Sequence, residues 1–134
     1  MTQKKSYRVQ RQGNLLWVRG AVGGNDGSVI VVRLLVDTGS SFTVLPTRVI
    51  ESLGCNLRKP LRSVATVGAS GIINAPMVAV PWFNCLGQRI DNFPLLAYTI
   101  PAAAFFDGLL GMDFLGRYQA IIAVANAEIR LVTD

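Results

Sequence analysis

Leu34-Leu35-Val36 runs directly into Asp37-Thr38-Gly39-Ser40-Ser41, and few folds can accommodate that junction. The apolar run reads as the end of a buried strand. It delivers a carboxylate to a turn of small residues, where Gly39 lets the backbone bend and come close. An acid in that position is partly withdrawn from water, so it must be hydrogen-bonded, paired or used. Asp-Thr-Gly also serves as an ordinary turn, and the tripeptide alone does not separate the two readings. The apolar residues on both sides, with Thr43-Val44-Leu45-Pro46 following, favour the functional one. So does a second element far downstream, Phe105-Phe106-Asp107-Gly108-Leu109-Leu110-Gly111-Met112-Asp113-Phe114-Leu115.

The bulk properties narrow the chemistry. With 134 residues, 51% of them hydrophobic, the chain makes one domain with a real core. It contains no histidine, which removes Ser-His-Asp and Cys-His catalysis and His-ligated metal sites together. Cys55 and Cys85 stand alone without Cys-x-x-Cys spacing and read as two reduced, half-buried thiols; a disulfide between them stays open. Lys4, Lys5, Arg8, Arg11 and Arg19 precede every acidic residue and account for the net charge of +5. Such an end can meet an anionic surface, but it more often is simply solvated, and nucleic acid is not an expected partner. The polar start is no secretory signal, and the apolar run from Phe93 to Phe106 carries Pro94 and Pro101 and is too short for a membrane span. A soluble, cytoplasmic protein is expected, or the soluble piece of a larger or precursor protein.

Residues 1–6 read as disordered and Tyr7–Arg11 as a weak exposed strand, so that 1–13 form a basic, partly disordered arm ahead of a domain over 14–134. Leu15–Arg19 is a β-rich run that leads through Gly20, Ala21 and Val22 into a turn, Gly23-Gly24-Asn25-Asp26-Gly27, and Ser28–Val36 is the strand beyond it. No Lys-Ser/Thr and no helix follows these glycines, which argues against a phosphate loop. Thr47–Gly54 reads as a short helix capped by Thr47 and ended by Gly54. Arg62–Val67 and the strand from Ile72 make a hairpin with a small tip, Gly68-Ala69-Ser70-Gly71. Met77–Phe83 and Phe93–Ile100 add sheet, Met112–Tyr118 a last helix, and Gln119–Val124 with Glu128–Val132 a closing hairpin. The class is mainly β.

Asp37-Thr38-Gly39-Ser40-Ser41 followed by Leu109-Leu110-Gly111 resembles the retropepsin-like aspartic proteases, and most of all their prokaryotic single-domain members, from residue 14 to the end. The resemblance implies a closed, barrel-like acid-protease fold with a flap hairpin and one or two short helices, assembled as a C2 homodimer. It implies an aspartic endopeptidase in which Asp37 is catalytic and Thr38, Gly39 and Ser40 support its loop. Thr38 would bond across the dimer; its alternative is a threonine satisfying the turn. Gly68, Ala69, Ser70, Gly71 and Ile72 would belong to the flap, and Leu109 would line the substrate pocket. An ordinary surface hairpin remains the alternative for the flap, and a core residue for Leu109.

Carboxylate chemistry on a peptide bond needs two acids, one ionised to take a proton from water and one protonated to polarise the carbonyl. This chain has a single Asp-Thr-Gly, and two-fold symmetry is the simplest source of the second acid. Asp107, before a glycine, and Asp113, at a helix start, are the in-chain rivals, and turn and capping roles account for them. The Ser40 hydroxyl follows closely enough to be expected to donate to Asp37. No metal or cofactor is expected, the substrate is a protein or peptide with apolar residues at the cleavage site, and mild acid suits the dyad. The rival from another class is a catalytically silent domain of the same fold that dimerises and binds peptides. Ser40-Ser41 stands where the retroviral pattern has Ala-Asp, which brings the motif closer to pepsin's, and Met112 stands where it has the Arg that helps hold the dimer, so the dimer contacts must differ from the retroviral ones.

Overall fold

The computed structural model describes residues 2–68, 71–101 and 104–133. Eleven strands and two short helices are found among them, in chain order: β1 Gln3–Arg8, β2 Gln10–Gln12, β3 Leu15–Gly23, β4 Val29–Val36, β5 Val44–Leu45, α1 Thr47–Ser52, β6 Arg62–Gly68, β7 Gly71–Cys85, β8 Gln88–Ala97, β9 Gly108–Leu110, α2 Met112–Arg117, β10 Ile121–Ala123 and β11 Glu128–Thr133.

Alternation decides which way these strands face. On β3, Leu16, Val18 and Val22 are buried while Leu15 and Arg19 are exposed; on β4, Val32 and Leu34 are buried between exposed Val31 and Arg33. The two pair antiparallel from Trp17↔Leu35 to Gly23↔Val29. Sheet order runs β2-β3-β4-β9-β5-β8-β7-β6, and a further β3–β7 pairing closes the six central strands into a barrel. Closure leaves β2 and β6 as the outer strands of this sheet and encloses the main core. Phe83 stacks on Phe93 with ring centroids 4.8 Å apart and meets Phe114 edge-on at 5.9 Å. Ile129 and Leu131 from β11 join the same core.

Two local expectations need correction. The start of the chain is not a disordered tail as far as residue 6: β1 pairs antiparallel with β11 from Gln3↔Thr133 to Arg8↔Glu128, and β10 completes a three-stranded sheet. The apolar side chains that hold this sheet come from β11, so β1 alone looks unsupported in sequence. Thr47 does not cap α1 either. The N-cap position is Pro46, without a side-chain cap bond, and Thr47 is already helical. Gly54, at φ +81°, does end the helix, its N–H donating to the Glu51 carbonyl.

The β6–β7 hairpin projects from the barrel because only the second half of β7 is needed to close it. Its register, Arg62↔Met77 through Gly68↔Gly71, leaves a two-residue tip. That tip is Ala69-Ser70, which lies outside the described residues.

Candidate active site

β4 and β9 run parallel, Leu34↔Gly108 to Val36↔Leu110, so the two sequence elements lie side by side. Asp37 leaves the end of β4 with its N–H donating to the Leu110 carbonyl at 3.0 Å. Its Oδ1 accepts from the Gly39 N–H at 2.9 Å, and the Ser40 N–H donates to its carbonyl at 3.2 Å. Asp37 is half-buried, and Thr38 and Gly39 are exposed.

The loop after Asp37 then passes over Gly111. A Cβ there would stand 2.4 Å from the Phe42 carbonyl group, so no larger residue fits without moving backbone. Met112 and Asp113 N–H groups donate to the Ser40 and Ser41 carbonyls at 2.7 and 3.1 Å. Fully buried Thr43 completes the junction. Its hydroxyl donates to Asp113 Oδ1 at 2.8 Å and accepts from the Gly111 N–H at 3.2 Å, while its own N–H donates to Asp113 Oδ2 at 2.9 Å. Burial raises the Asp113 carboxyl above its ordinary value, and these donors oppose that rise. Asp113 is therefore more than a helix-capping acid. It lies in the first turn of α2, and its carboxylate ties the loop after Asp37 to the helix; the N-cap position is Gly111.

Asp37 opens into a cleft of about 320 Å³ between this loop and the inner face of the hairpin, lined by Phe42, Val64, Val67, Tyr98 and Leu109 among others. Asp37 is the one acidic residue among the described residues that line it. Leu109 lines this cleft and also packs against the small cluster of Val44, Ala75, Met77 and Leu96. Ile72 pairs with Val67 one step outside the lining and is exposed, while Gly68 and Gly71 close the described ends of the hairpin. The expected place of Ser40 needs correction. Its hydroxyl donates to the Phe42 carbonyl at 2.6 Å, and the donor at Asp37 Oδ1 is the Gly39 backbone. A seryl side chain two residues before a carbonyl in a tight loop reaches that carbonyl more easily than it reaches back. Asp107 is also occupied: its Oδ2 accepts from the Arg33 N–H at 2.7 Å and its Oδ1 lies 3.9 Å from Arg48. Among the described residues, no group of three acids, cysteines or histidines could hold a metal ion.

Phe42, Val64 and Tyr98 were missed in the sequence reading. The available signal was alternation on β6, which places Val64 and Thr66 on one face. Thr43, a polar residue inside Phe42-Thr43-Val44-Leu45, likewise signalled a buried partner.

A family model described as aspartyl protease matches residues 18–114. The chain belongs to the aspartyl protease family. Solved structures of similar fold include retropepsin-like ones. The crystal structure of a retropepsin-like aspartic protease from Rickettsia conorii superposes with a TM-score of 0.69 at 20% identity, covering 98% of this chain and 93% of that one. The retroviral protease-like domain of Ddi1 from Leishmania major gives a TM-score of 0.53 at 20% identity, with 85% of each chain covered. At that identity the two establish the fold. No curated protein matches the chain. The aspartyl protease motif and the observed junction coincide: the matched stretch begins inside β3 and ends in α2, enclosing both halves of the loop.

Proposed function

We propose that this aspartyl protease is an endopeptidase that acts as a C2 homodimer, with Asp37 of each subunit meeting on the axis. The observation that carries the reading is a half-buried Asp37 at the cleft, held by a backbone donor, with no second acid beside it among the described lining residues. Two such carboxylates about 3 Å apart hold one proton between them. The ionised member takes a proton from water while the protonated member polarises the scissile carbonyl, and a bell-shaped profile in mild acid follows. Exposure of Thr38 and Gly39 agrees with a partner covering that edge of the loop, where Thr38 bonds across the axis. The hairpin, with Gly68, Ala69, Ser70, Gly71 and Ile72 at its end, closes over an extended peptide. Val64, Val67, Tyr98 and Leu109 favour apolar substrate side chains.

Unfolded casein incubated across acidic to neutral pH, with and without pepstatin, tests this. Pepstatin-sensitive cleavage is expected, lost by about 10³-fold or more in Asp37→Asn, whose amide is nearly isosteric but cannot share the dyad proton. A folded Asn variant that still cuts would remove Asp37 from the mechanism. A dimer that binds peptides without cutting them would establish the silent domain.

A further inference from the structure

Four arginines from separate elements form one track across the outside of the barrel. Arg8 and Arg19 line a groove of about 290 Å³ together with Tyr7 and Trp17. Arg33 and Arg48 line a neighbouring depression of about 400 Å³. The β3–β4 register joins the two, because Arg19 and Arg33 stand directly opposite each other. Residues so placed have Cβ atoms about 5 Å apart, and like charges there destabilise a sheet unless an anion lies between them. Arg19 is moreover stacked on Trp17, its guanidinium 5.2 Å from the ring centroid, which fixes the fork while leaving its edge free. Among the described residues neither Arg19 nor Arg33 forms a side-chain ion pair. The acids nearby are few. Asp107 binds the Arg33 backbone and reaches Arg48 only at 3.9 Å, and Glu128 faces Arg8 in register without an ion pair among the described residues.

We propose that this track binds single-stranded nucleic acid, with phosphates on Arg8, Arg19, Arg33 and Arg48. Arginine forks match phosphate oxygens in a bidentate way, and aromatic rings in a basic groove are what unpaired bases stack against. A strand with one fixed charge per nucleotide suits a line of guanidiniums, and the aromatic rings beside them favour bases over an acidic peptide. The track is distinct from the peptide cleft: none of the four arginines lines it. The sequence shows Arg8 and Arg19 only within a basic end, and the fold adds Arg33 and Arg48 from β4 and α1.

Anisotropy of a fluorescein-labelled oligothymidylate tests the proposal. Four phosphate contacts predict a log–log salt slope of about −2.8, a loss of roughly 50-fold between about 50 and 200 mM salt. Arg19→Ala/Arg33→Ala should reduce the slope by about 1.4 and weaken binding at low salt by roughly 10-fold or more, with unchanged cleavage of an uncharged peptide. Lys4→Ala/Lys5→Ala removes the same net charge away from the track and should weaken binding much less; thermal melts of both variants control for folding. The proposal is overturned if the wild type fails to bind at low salt, or if the lysine pair matters as much as the arginine pair. Preferential binding of oligoglutamate would assign the track to an acidic protein. Loss of self-association in the arginine variant would assign it to a second copy.

Discussion

Ser40 shows how little separates a supporting residue from a catalytic contact. Its hydroxyl is engaged by the Phe42 carbonyl, so Ser40→Ala should cost about 1 kcal/mol of stability and leave the pH profile of kcat/KM in place. A basic shift of that profile would mean that the hydroxyl turns to Asp37 in the working enzyme. Asp113 carries the larger electrostatic strain. Burial lifts its carboxyl above 3.8, so the folded chain binds the proton more tightly than the unfolded one. Its contribution to stability is therefore full below 3.8 and is lost as pH rises through the raised value. Asp113→Asn cannot ionise and, like the protonated acid, presents one carbonyl oxygen and one donor group to Thr43. The variant should therefore lie within about 1 kcal/mol of wild type at low pH and gain on it as pH rises through that window. Melting temperatures of both proteins across acidic pH decide it; a wild type that gains on the variant as pH rises would show that the ionised form is the favoured one.

At the scale of elements, the hairpin arm combines weak anchorage with exposed apolar residues. Val67 and Ile72 are 80% and 78% exposed at its end, so they add little to the core. Val67→Asp should change stability by less than about 0.5 kcal/mol yet cut kcat/KM on an apolar peptide several-fold, because the side chain borders the cleft. Comparing melting temperature with turnover checks this, and unaltered turnover would make the arm an ordinary surface hairpin. The arm was legible because Arg62–Val67 and the run from Ile72 flank a small-residue tip. The barrel strands were legible too, since each carries its own alternation or apolar run, as in Leu16, Val18 and Val22. β1 was not, because Gln3–Arg8 is polar throughout and its place depends on β11, more than a hundred residues away. The Thr43–Asp113 tie escaped for the same reason: each residue has a plausible local role, and only the close pass of the loop over Gly111 brings them together.

For the whole molecule, the decisive feature is that one chain presents one Asp37-Thr38-Gly39 loop, half of the dyad proposed above. The barrel closes through the β3–β7 pairing, and the terminal sheet pairs β1 with β11 inside the same chain. One chain thus carries its own core, and the proposed dimer would be held by the exposed loop around Thr38 and by other surface. Half a dyad cannot both activate water and polarise a carbonyl. Activity per milligram should therefore fall on dilution, with the drop centred where half the chains are dimeric, while folding probes such as tryptophan emission from Trp17 and Trp82 stay constant. Sedimentation over the same concentrations should place the monomer–dimer transition at that midpoint. A monomer with full specific activity would overturn the symmetric dyad and direct attention to Asp107 or Asp113 as the second acid.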